Sequence, residues 1–161
     1  MAVLVDIMES WRAPRRVVRQ HLDRPKSEAF IFTFLFTFLL VSFIAQWPVA
    51  ARLSHFQPEV PVSQRMFGFA LGLFGLMMPL AYALAALSRL VAKLLGGQGS
   101  WYSARLTLFW ALATITPAML LMGLALAFLG QGAQTTALGV VIGVVFAIRW
   151  GFMLYETERA R

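Results

Sequence analysis

Long apolar stretches alternate with short polar stretches along this chain of 161 residues. Four of the apolar stretches approach the roughly 20 residues that a helix needs to cross a hydrocarbon core. They lie at about residues 29–47, 66–87, 106–129 and 135–154. The pattern therefore predicts an all-α, polytopic membrane protein whose four transmembrane helices form a bundle. Pro79 and Pro117 fall inside the second and third spans, where we expect kinks.

The composition supports a membrane protein and removes several kinds of chemistry. Hydrophobic residues make up 60% of the chain and charged residues only 13%, and the mean hydropathy is +0.73. A soluble domain carries about 25% charged residues, so this chain has too little polar surface for a water-soluble globule. It has no cysteine, which excludes disulfides, thiolate nucleophiles and Cys-ligated metals. Asp6 and Glu9 interrupt the first apolar run, so no signal peptide is expected.

The basic residues fall almost entirely on one side of the predicted bundle. Twelve of the fourteen precede the first span, lie between the second and third spans, or lie at the C-terminal end, whereas Arg52 and Arg65 lie between the first and second spans. The positive-inside rule then predicts an inner-membrane protein with both termini in the cytoplasm. The net charge of +7 indicates attraction to anionic lipid headgroups, about 1 kcal/mol per basic residue near the surface. No nucleic-acid partner is expected.

Residues 1–26 form a basic segment that we separate from a transmembrane domain at residues 27–161. Its apolar residues recur at helical spacing, and its arginines fall mostly on the other faces. The apolar positions are Leu4, Ile7, Met8, Trp11, Val18 and Leu22, and the basic positions are Arg12, Arg15, Arg16 and Arg19. The segment is predicted to be an amphipathic helix in the headgroup plane. Two interpretations stay open: an anchor that sets topology, or a surface that recruits a cytosolic partner or senses lipid packing.

The stretch "AKLLGGQGSWYSARLTLFW", residues 92–110, interrupts the apolar pattern between the second and third spans. Gly96 or Gly97 is predicted to end the second helix, because a left-handed C-terminal cap costs glycine little. Ser100 is a candidate N-cap for the next helix, as Ser27 is for the helix of the first span. The loop lacks the Gly-Lys-Ser/Thr ending of a phosphate-binding loop, so no nucleotide is expected. It is predicted to be a turn at the membrane surface.

Residues beside this loop have the character of a membrane interface. Arg89 and Lys93 lie one turn apart at the predicted cytoplasmic end of the second helix, where cations complement the helix dipole and can reach lipid headgroups. Trp101 and Tyr102 are predicted to lie at headgroup depth, where amphipathic rings are enriched.

Small residues recur every four positions in two spans. They are Gly139, Gly143, Ala147 and Gly151 in the fourth span, and Gly68 and Gly72 at the start of the second. Such stripes allow close helix packing. Two interpretations are open: packing inside the four-helix bundle, or a face that binds a second copy or another membrane protein.

Arg149 is the only ionisable residue within the predicted spans. It lies about five residues, or ~7–8 Å, from the end of the fourth span. It could reach the cytoplasmic surface, or act as an internal charge paired with a lipid phosphate or a partner's carboxylate. His55 and Glu59 are too few ligands for a metal site, and no cofactor motif is present.

Three short segments together resemble the Yip-domain family, the Ypt/Rab-interacting membrane proteins, in its bacterial branch. They are the loop "GGQGS", the following span "ALATITPAMLL", and the N-terminal "SWRAPRRVVRQHL". The resemblance maps the family's loop onto Gly96, Gly97, Gly99 and Ser100, and its helix proline onto Pro117. It implies a multi-span helical domain and, in eukaryotes, roles in vesicle traffic, membrane shaping and contact with small GTPases. The chain differs from eukaryotic members in its short N-terminal region and in four predicted spans instead of five.

The sequence contains no nucleophile–base pair, carboxylate dyad or cofactor motif, so we predict a non-enzyme. The leading hypothesis is a Yip-like inner-membrane protein that acts through helix packing as a membrane-organising or protein-interaction component. The alternatives are an accessory subunit of a larger membrane complex and a small transporter or channel component. Expected partners are membrane lipids, and either a membrane protein or further copies of the chain.

Overall fold

The computed structural model describes residue 7 and residues 14–159, with only the backbone described at residues 14 and 15. The predictions for Trp11, Arg12 and the Arg15 side chain therefore lie outside the described residues. The described chain is helical and contains no strand. Its elements are α1 (Pro14–Leu22), α2 (Glu28–Ala45), α3 (Trp47–Phe56), α4 (Val62–Ala70), a π-helical segment (Leu71–Met77), α5 (Met78–Leu94), α6 (Trp101–Thr114), α7 (Thr116–Leu129) and α8 (Ala133–Arg159).

Within the described residues, three helical stretches are long and apolar enough to cross a membrane: Glu28–Phe56, Val62–Leu94 and Ala133–Arg159. A fourth crossing arises if α6 and α7, which are bent by 45° relative to each other, form one span. The structure thus confirms the predicted all-α, polytopic class. The helices extend beyond the predicted spans, and residues 48–56, which follow the first predicted span, are helical as part of α3.

Both predicted proline sites coincide with changes in helix geometry. Pro117 lies in the first turn of α7, directly after the bend. Pro79 lies in the first turn of α5, directly after the π-helical segment. Proline removes a backbone donor and crowds the preceding turn, and local bends or π-helical turns accommodate this in membrane helices.

Helix α6 lies at the centre of the bundle. It contacts α2, α5 and α8, and eleven of its fourteen residues are buried. Phe109 and Trp110 are fully buried there. Helix α7, in contrast, packs on α2, α3 and α8 and leaves Leu121, Phe128 and other apolar side chains exposed.

Gly123 sets the closest approach between α7 and α2. A Cβ at this position would collide with the backbone carbonyl of Ala45. Glycine therefore lets the two helices pack nearer than any other residue would allow.

Two arginines complete the end of the bundle opposite the chain termini. Arg52 of α3 donates from Nη1 to the carbonyls of Ala127 and Phe128, at 2.7 and 2.9 Å, and so caps the C-terminus of α7. Arg65 donates to the carbonyls of Gln57 and Val60 after α3. Guanidinium groups thus satisfy carbonyls that a helix end leaves without intrahelical partners.

Candidate functional site

The last turns of α8, the loop between α5 and α6, and helix α1 meet at one end of the bundle, which we call the termini end. Glu156 of α8 forms an ion pair with Arg19 of α1. Glu158, two residues later, reaches the glycine loop. The two carboxylates and the groups that bind them are called the carboxylate latch below. The latch places both described chain ends on the same side of the bundle, as an even number of crossings requires.

Glu158 is bound from two directions. Its Oε2 accepts from the backbone N–H of Gly99 at 2.9 Å and from Nη1 of Arg89 at 3.1 Å. The side chains of Arg89 and Glu158 are only 11% and 10% exposed. The main chain adds a further bond, because Gln98 N–H donates to the Glu158 carbonyl at 3.3 Å. A nearly buried ion pair with an added backbone donor fixes the C-terminal turn of α8 on the loop.

The glycines of the loop are explained by this carboxylate. A Cβ on Gly97 would collide with Oε2 of Glu158, and one on Gly99 would lie 2.5 Å from its Oε1. Gly96 has φ +83°, the left-handed conformation predicted for the C-terminal cap of the preceding helix. The glycines therefore let the loop backbone lie close to a carboxylate, and this carboxylate is the side chain of Glu158 in the same protein.

The predicted caps around the loop and the first span are confirmed. Ser100 Oγ accepts from Ser103 N–H at 3.0 Å, and Ser103 Oγ accepts from Ser100 N–H at 2.8 Å, which completes a capping box. Ser27 caps α2 by accepting from Phe30 N–H. These bonds satisfy backbone donors that would otherwise be orphaned at the helix starts.

Helix α1 packs against the bundle through its apolar face. It contacts α8 and α6, and Val17 and Val18 are fully buried. The predicted amphipathic pattern is present, and the bundle covers its apolar side. The described part of the segment is thus a docked element of the fold, and its place in the headgroup plane stays a prediction.

His21 of α1 enters an aromatic cluster under the helix. Its ring centroid lies 4.5 Å from that of Trp110, 5.5 Å from Phe34 and 5.8 Å from Phe30. The side chain is 1% exposed. Sequence reasoning passed over this residue, although a histidine on the apolar side of an amphipathic helix is a signal for burial.

The basic residues predicted to contact headgroups divide into exposed and buried groups. Arg16, Arg19 and Lys93 are exposed. Arg89 is buried and binds Glu158. Arg149 is also buried, at 8% exposure, and both interpretations of its charge stay predictions.

The two aromatic residues after the glycine loop have different environments. Trp101 is half exposed, as a residue at the interface would be. Tyr102 is buried and its hydroxyl accepts from the Ser27 backbone N–H at 3.2 Å. Tyr102 therefore joins α6 to the start of α2, and its position at headgroup depth stays a prediction.

The small-residue stripes lie mostly on the outside of the bundle. An added Cβ would meet no atom within 4 Å at Gly68, Gly72, Gly143 or Gly151, and only Met122 Cε, at 3.5 Å, near Gly139. Ala147 is exposed. A side chain would thus have room at Gly68, Gly72, Gly143 and Gly151, whereas Gly139 lies close to α7, and the outward docking face stays a prediction.

An apolar groove of about 660 Å³ runs between α5 and α8 and ends at the carboxylate latch. Its walls include Leu84, Leu87 and Val91 on one side and Gly151 and Leu154 on the other. A second, more polar pocket of about 590 Å³ lies behind the glycine loop and includes Lys26, Ser100 and Ser103. Arg159 lines both. Among the described residues, no cluster of three or more His, Asp or Glu side chains could hold a metal.

Taken together, the buried central helix, the long apolar helices and the latch define a polytopic helical membrane protein. A family model, the Yip1 domain, matches residues 8–157, nearly the whole chain. The chain belongs to the Yip1 domain family. No curated protein and no solved structure matches it.

Sequence reasoning missed the two glutamates of the latch and Gly123. Glu156 and Glu158 end an apolar helix about sixty residues after the loop glycines, so no local signal joined them to the loop. Gly123 had no periodic partner, so its role could not be distinguished from that of the exposed glycines.

Proposed function

We propose that this protein is a non-catalytic, integral inner-membrane member of its family that organises or binds other membrane proteins through its outer helix faces. The observation that carries the proposal is the outward position of the glycines in the small-residue stripes. Gly72 of the π-helical segment and Gly143 of α8 have open space where a side chain would be. In lipid, close contact drives helix association, and small residues permit it.

The long outer helices support this proposal. In both Val62–Leu94 and Ala133–Arg159, only 11% of the most apolar 18-residue segment is buried inside the protein. The close approach of helices within the chain uses Gly123 instead. The stripes are therefore free for a partner, either a second copy of the chain or a helix of another membrane protein.

The proposed orientation places the termini end in the cytoplasm. The charge asymmetry of the sequence supports it, together with the exposed Arg16 and Lys93 at this end, which would contact anionic headgroups. Reporter fusions at the N-terminus, at the C-terminus and after Glu59 test this orientation. We expect cytoplasmic signals from the two ends and a periplasmic signal from the third fusion, and the reverse pattern would overturn the orientation.

Cysteine cross-linking tests the proposed docking face directly, because the natural chain has no cysteine. We expect Gly143→Cys, oxidised in native membranes, to give a discrete covalent adduct. Val141→Cys is the matched control, since Val141 is 57% exposed on another face of the same helix. An adduct of twice the chain mass identifies self-association, and another discrete mass identifies a heterologous partner. No adduct, or equal adducts at both positions, would refute the docking face.

A further inference from the structure

We propose that the groove between α5 and α8 binds one anionic phospholipid, with an acyl chain along the groove and the phosphate at Arg159. This inference rests on the groove and the polar pocket behind it, and it is independent of any protein partner on the Gly143 face. Three observations carry it: the length of the groove, its volume, and the charge at its end.

The groove has the length of one bilayer leaflet. Its wall on α5 runs from Leu84 to Leu95, which corresponds to about 16 Å at helical rise. Half of a ~30 Å hydrocarbon core is about 15 Å. The groove thus begins near the membrane surface at the termini end and stops near the bilayer midplane, as one acyl chain does.

The groove is too small for a transmembrane helix. A helix about 10 Å wide fills roughly 1,300 Å³ over the same length, about twice the 660 Å³ present. A partner helix would therefore lie across the mouth of the groove. An acyl chain is narrower and flexible, and Gly151, with nothing within 4 Å of an added Cβ, leaves room for it on the α8 side.

The end of the groove favours a negative headgroup. Glu158, whose carboxylate lines the end of the groove, is paired with Arg89 and so adds no free negative charge there. In the described part of the chain no carboxylate pairs with Arg159, whose guanidinium lies over the ring of Tyr155 at 4.3 Å. Arg159 also lines the polar pocket, whose other charged residues are Lys26, Asp23 and Arg19, the last paired with Glu156. The cations of this pocket outnumber its one carboxylate, so a phosphate beside Arg159 would lie in a net positive environment. An apolar groove that ends at a cation matches an anionic amphiphile.

Lipid retention by the purified full-length chain tests the proposal. The chain is delipidated in mild detergent and equilibrated with equal amounts of dioleoylphosphatidylglycerol and dioleoylphosphatidylcholine, and bound lipids are counted by native mass spectrometry. We expect one lipid per chain, with phosphatidylglycerol preferred. Equal retention of the two lipids, or none, would overturn the proposal.

Two variants separate the acyl and headgroup contacts. Gly151→Leu fills the groove and should lower retention of both lipids about tenfold, whereas Gly143→Leu, the same change outside the groove, should leave retention unchanged. Arg159→Gln should reduce the preference for phosphatidylglycerol about fivefold, the equivalent of ~1 kcal/mol for one basic residue. Arg24→Gln removes the same charge from an exposed position and should not change the preference.

Further outcomes keep the test decisive. The site is refuted if Gly143→Leu lowers lipid retention as much as Gly151→Leu does. It is also refuted if Arg24→Gln lowers the preference for phosphatidylglycerol as much as Arg159→Gln does, because lipid then binds the general surface. If Gly151→Leu abolishes a protein dimer rather than a lipid adduct, a second copy occupies the groove. Should Gly151→Leu lose its helical circular dichroism, Leu87→Trp fills the groove from α5, where the side chain is 57% exposed. If Gly151→Leu loses bound lipid while Gly143→Cys still forms its adduct in the same background, the lipid site and the protein docking face are separate. The two proposals can then fail independently.

Discussion

Helix α6 and the helical run from α4 through α5 are both apolar, yet they have opposite surroundings. Eleven of the fourteen α6 residues are buried, whereas no residue of the π-helical segment is buried. In α5 the buried residues are Ala81, Ala85, Ser88 and Arg89, a single narrow face. One helix is the axis of the bundle, and the other lies at its edge.

The buried helix α6 carries polar side chains, whereas the exposed π-helical segment carries none. Helix α6 contains Ser103, Thr107 and Thr114, and all three are buried. Thr107 and Thr114 donate to backbone carbonyls of their own helix, at 2.6 and 2.7 Å. The π-helical segment "LGLFGLM" has no polar side chain. In a membrane the apolar solvent accepts apolar faces without penalty, so polar side chains move inward.

Removing the largest central side chain should give the largest effect. Trp110→Ala leaves a cavity where the side chain is fully buried, and we expect the free energy of unfolding to fall by about 4 kcal/mol. Leu76→Ala, at a site that is 67% exposed in the π-helical segment, should change it by less than about 0.5 kcal/mol. Reversible unfolding by SDS in mixed micelles measures both. Similar losses would remove the contrast between the two helices.

Breaking the buried ion pair of the latch should have the next largest effect. Glu158→Gln leaves the Arg89 charge buried without its partner, and we expect a loss of about 3 kcal/mol. Glu28→Gln is the matched control, because the Glu28–Arg105 pair has side chains 61% and 27% exposed and should contribute less than about 1 kcal/mol. The same SDS titration distinguishes them, and equal effects would mean that the latch does not hold α8 on the loop.

Adding a side chain at Gly123, the glycine between α7 and α2, should lower the free energy of unfolding by less than breaking the ion pair does. Gly123→Leu forces α7 away from Ala45, and we expect a loss of about 2 kcal/mol by overpacking. Gly143→Leu, at an open position, should leave the monomer as stable as the wild type. Thermal unfolding of the detergent-solubilised monomer compares the two. A larger loss at Gly143 would contradict its outward placement.

Deleting a hydroxyl should have the smallest effect. Thr107 in the core and the exposed Thr33 both donate to the carbonyl four residues earlier, at 2.6 and 2.9 Å. Because each bond lies within one helix, Thr107→Val and Thr33→Val should each change stability by less than about 0.6 kcal/mol. A loss above 2 kcal/mol for Thr107→Val alone would show that the weak 3.5 Å contact with Thr157 joins α6 to α8.

The positions of helices and caps followed from local sequence. Hydrophobic length located the spans within several residues, and Ser27, Ser100 and Gly96 were recognised because caps depend on the backbone of one turn. The bend at Pro117 followed in the same way. These features need no knowledge of which helices are neighbours.

The site could be predicted only in part, because its contacts join distant segments. Gly97 and Gly99 were recognised as a turn, but the carboxylate that requires them comes from Glu158, about sixty residues later. Arg89 was placed at the membrane surface for the same reason, since its partner was not visible in the local pattern. The side of α8 on which its stripe lies stayed open, because spacing alone does not say which side of a helix faces lipid.

By itself, the sequence determined that this chain is a membrane protein of several helices with basic ends, because length, hydropathy and charge act locally against lipid and water. The tertiary structure decided which helix is central, which glycines pack and which face outward, and that α1 docks on α8. In lipid an apolar face is equally compatible with a neighbouring helix and with the bilayer. Only shape complementarity and ion pairs such as Arg19–Glu156 and Arg89–Glu158 therefore select the arrangement.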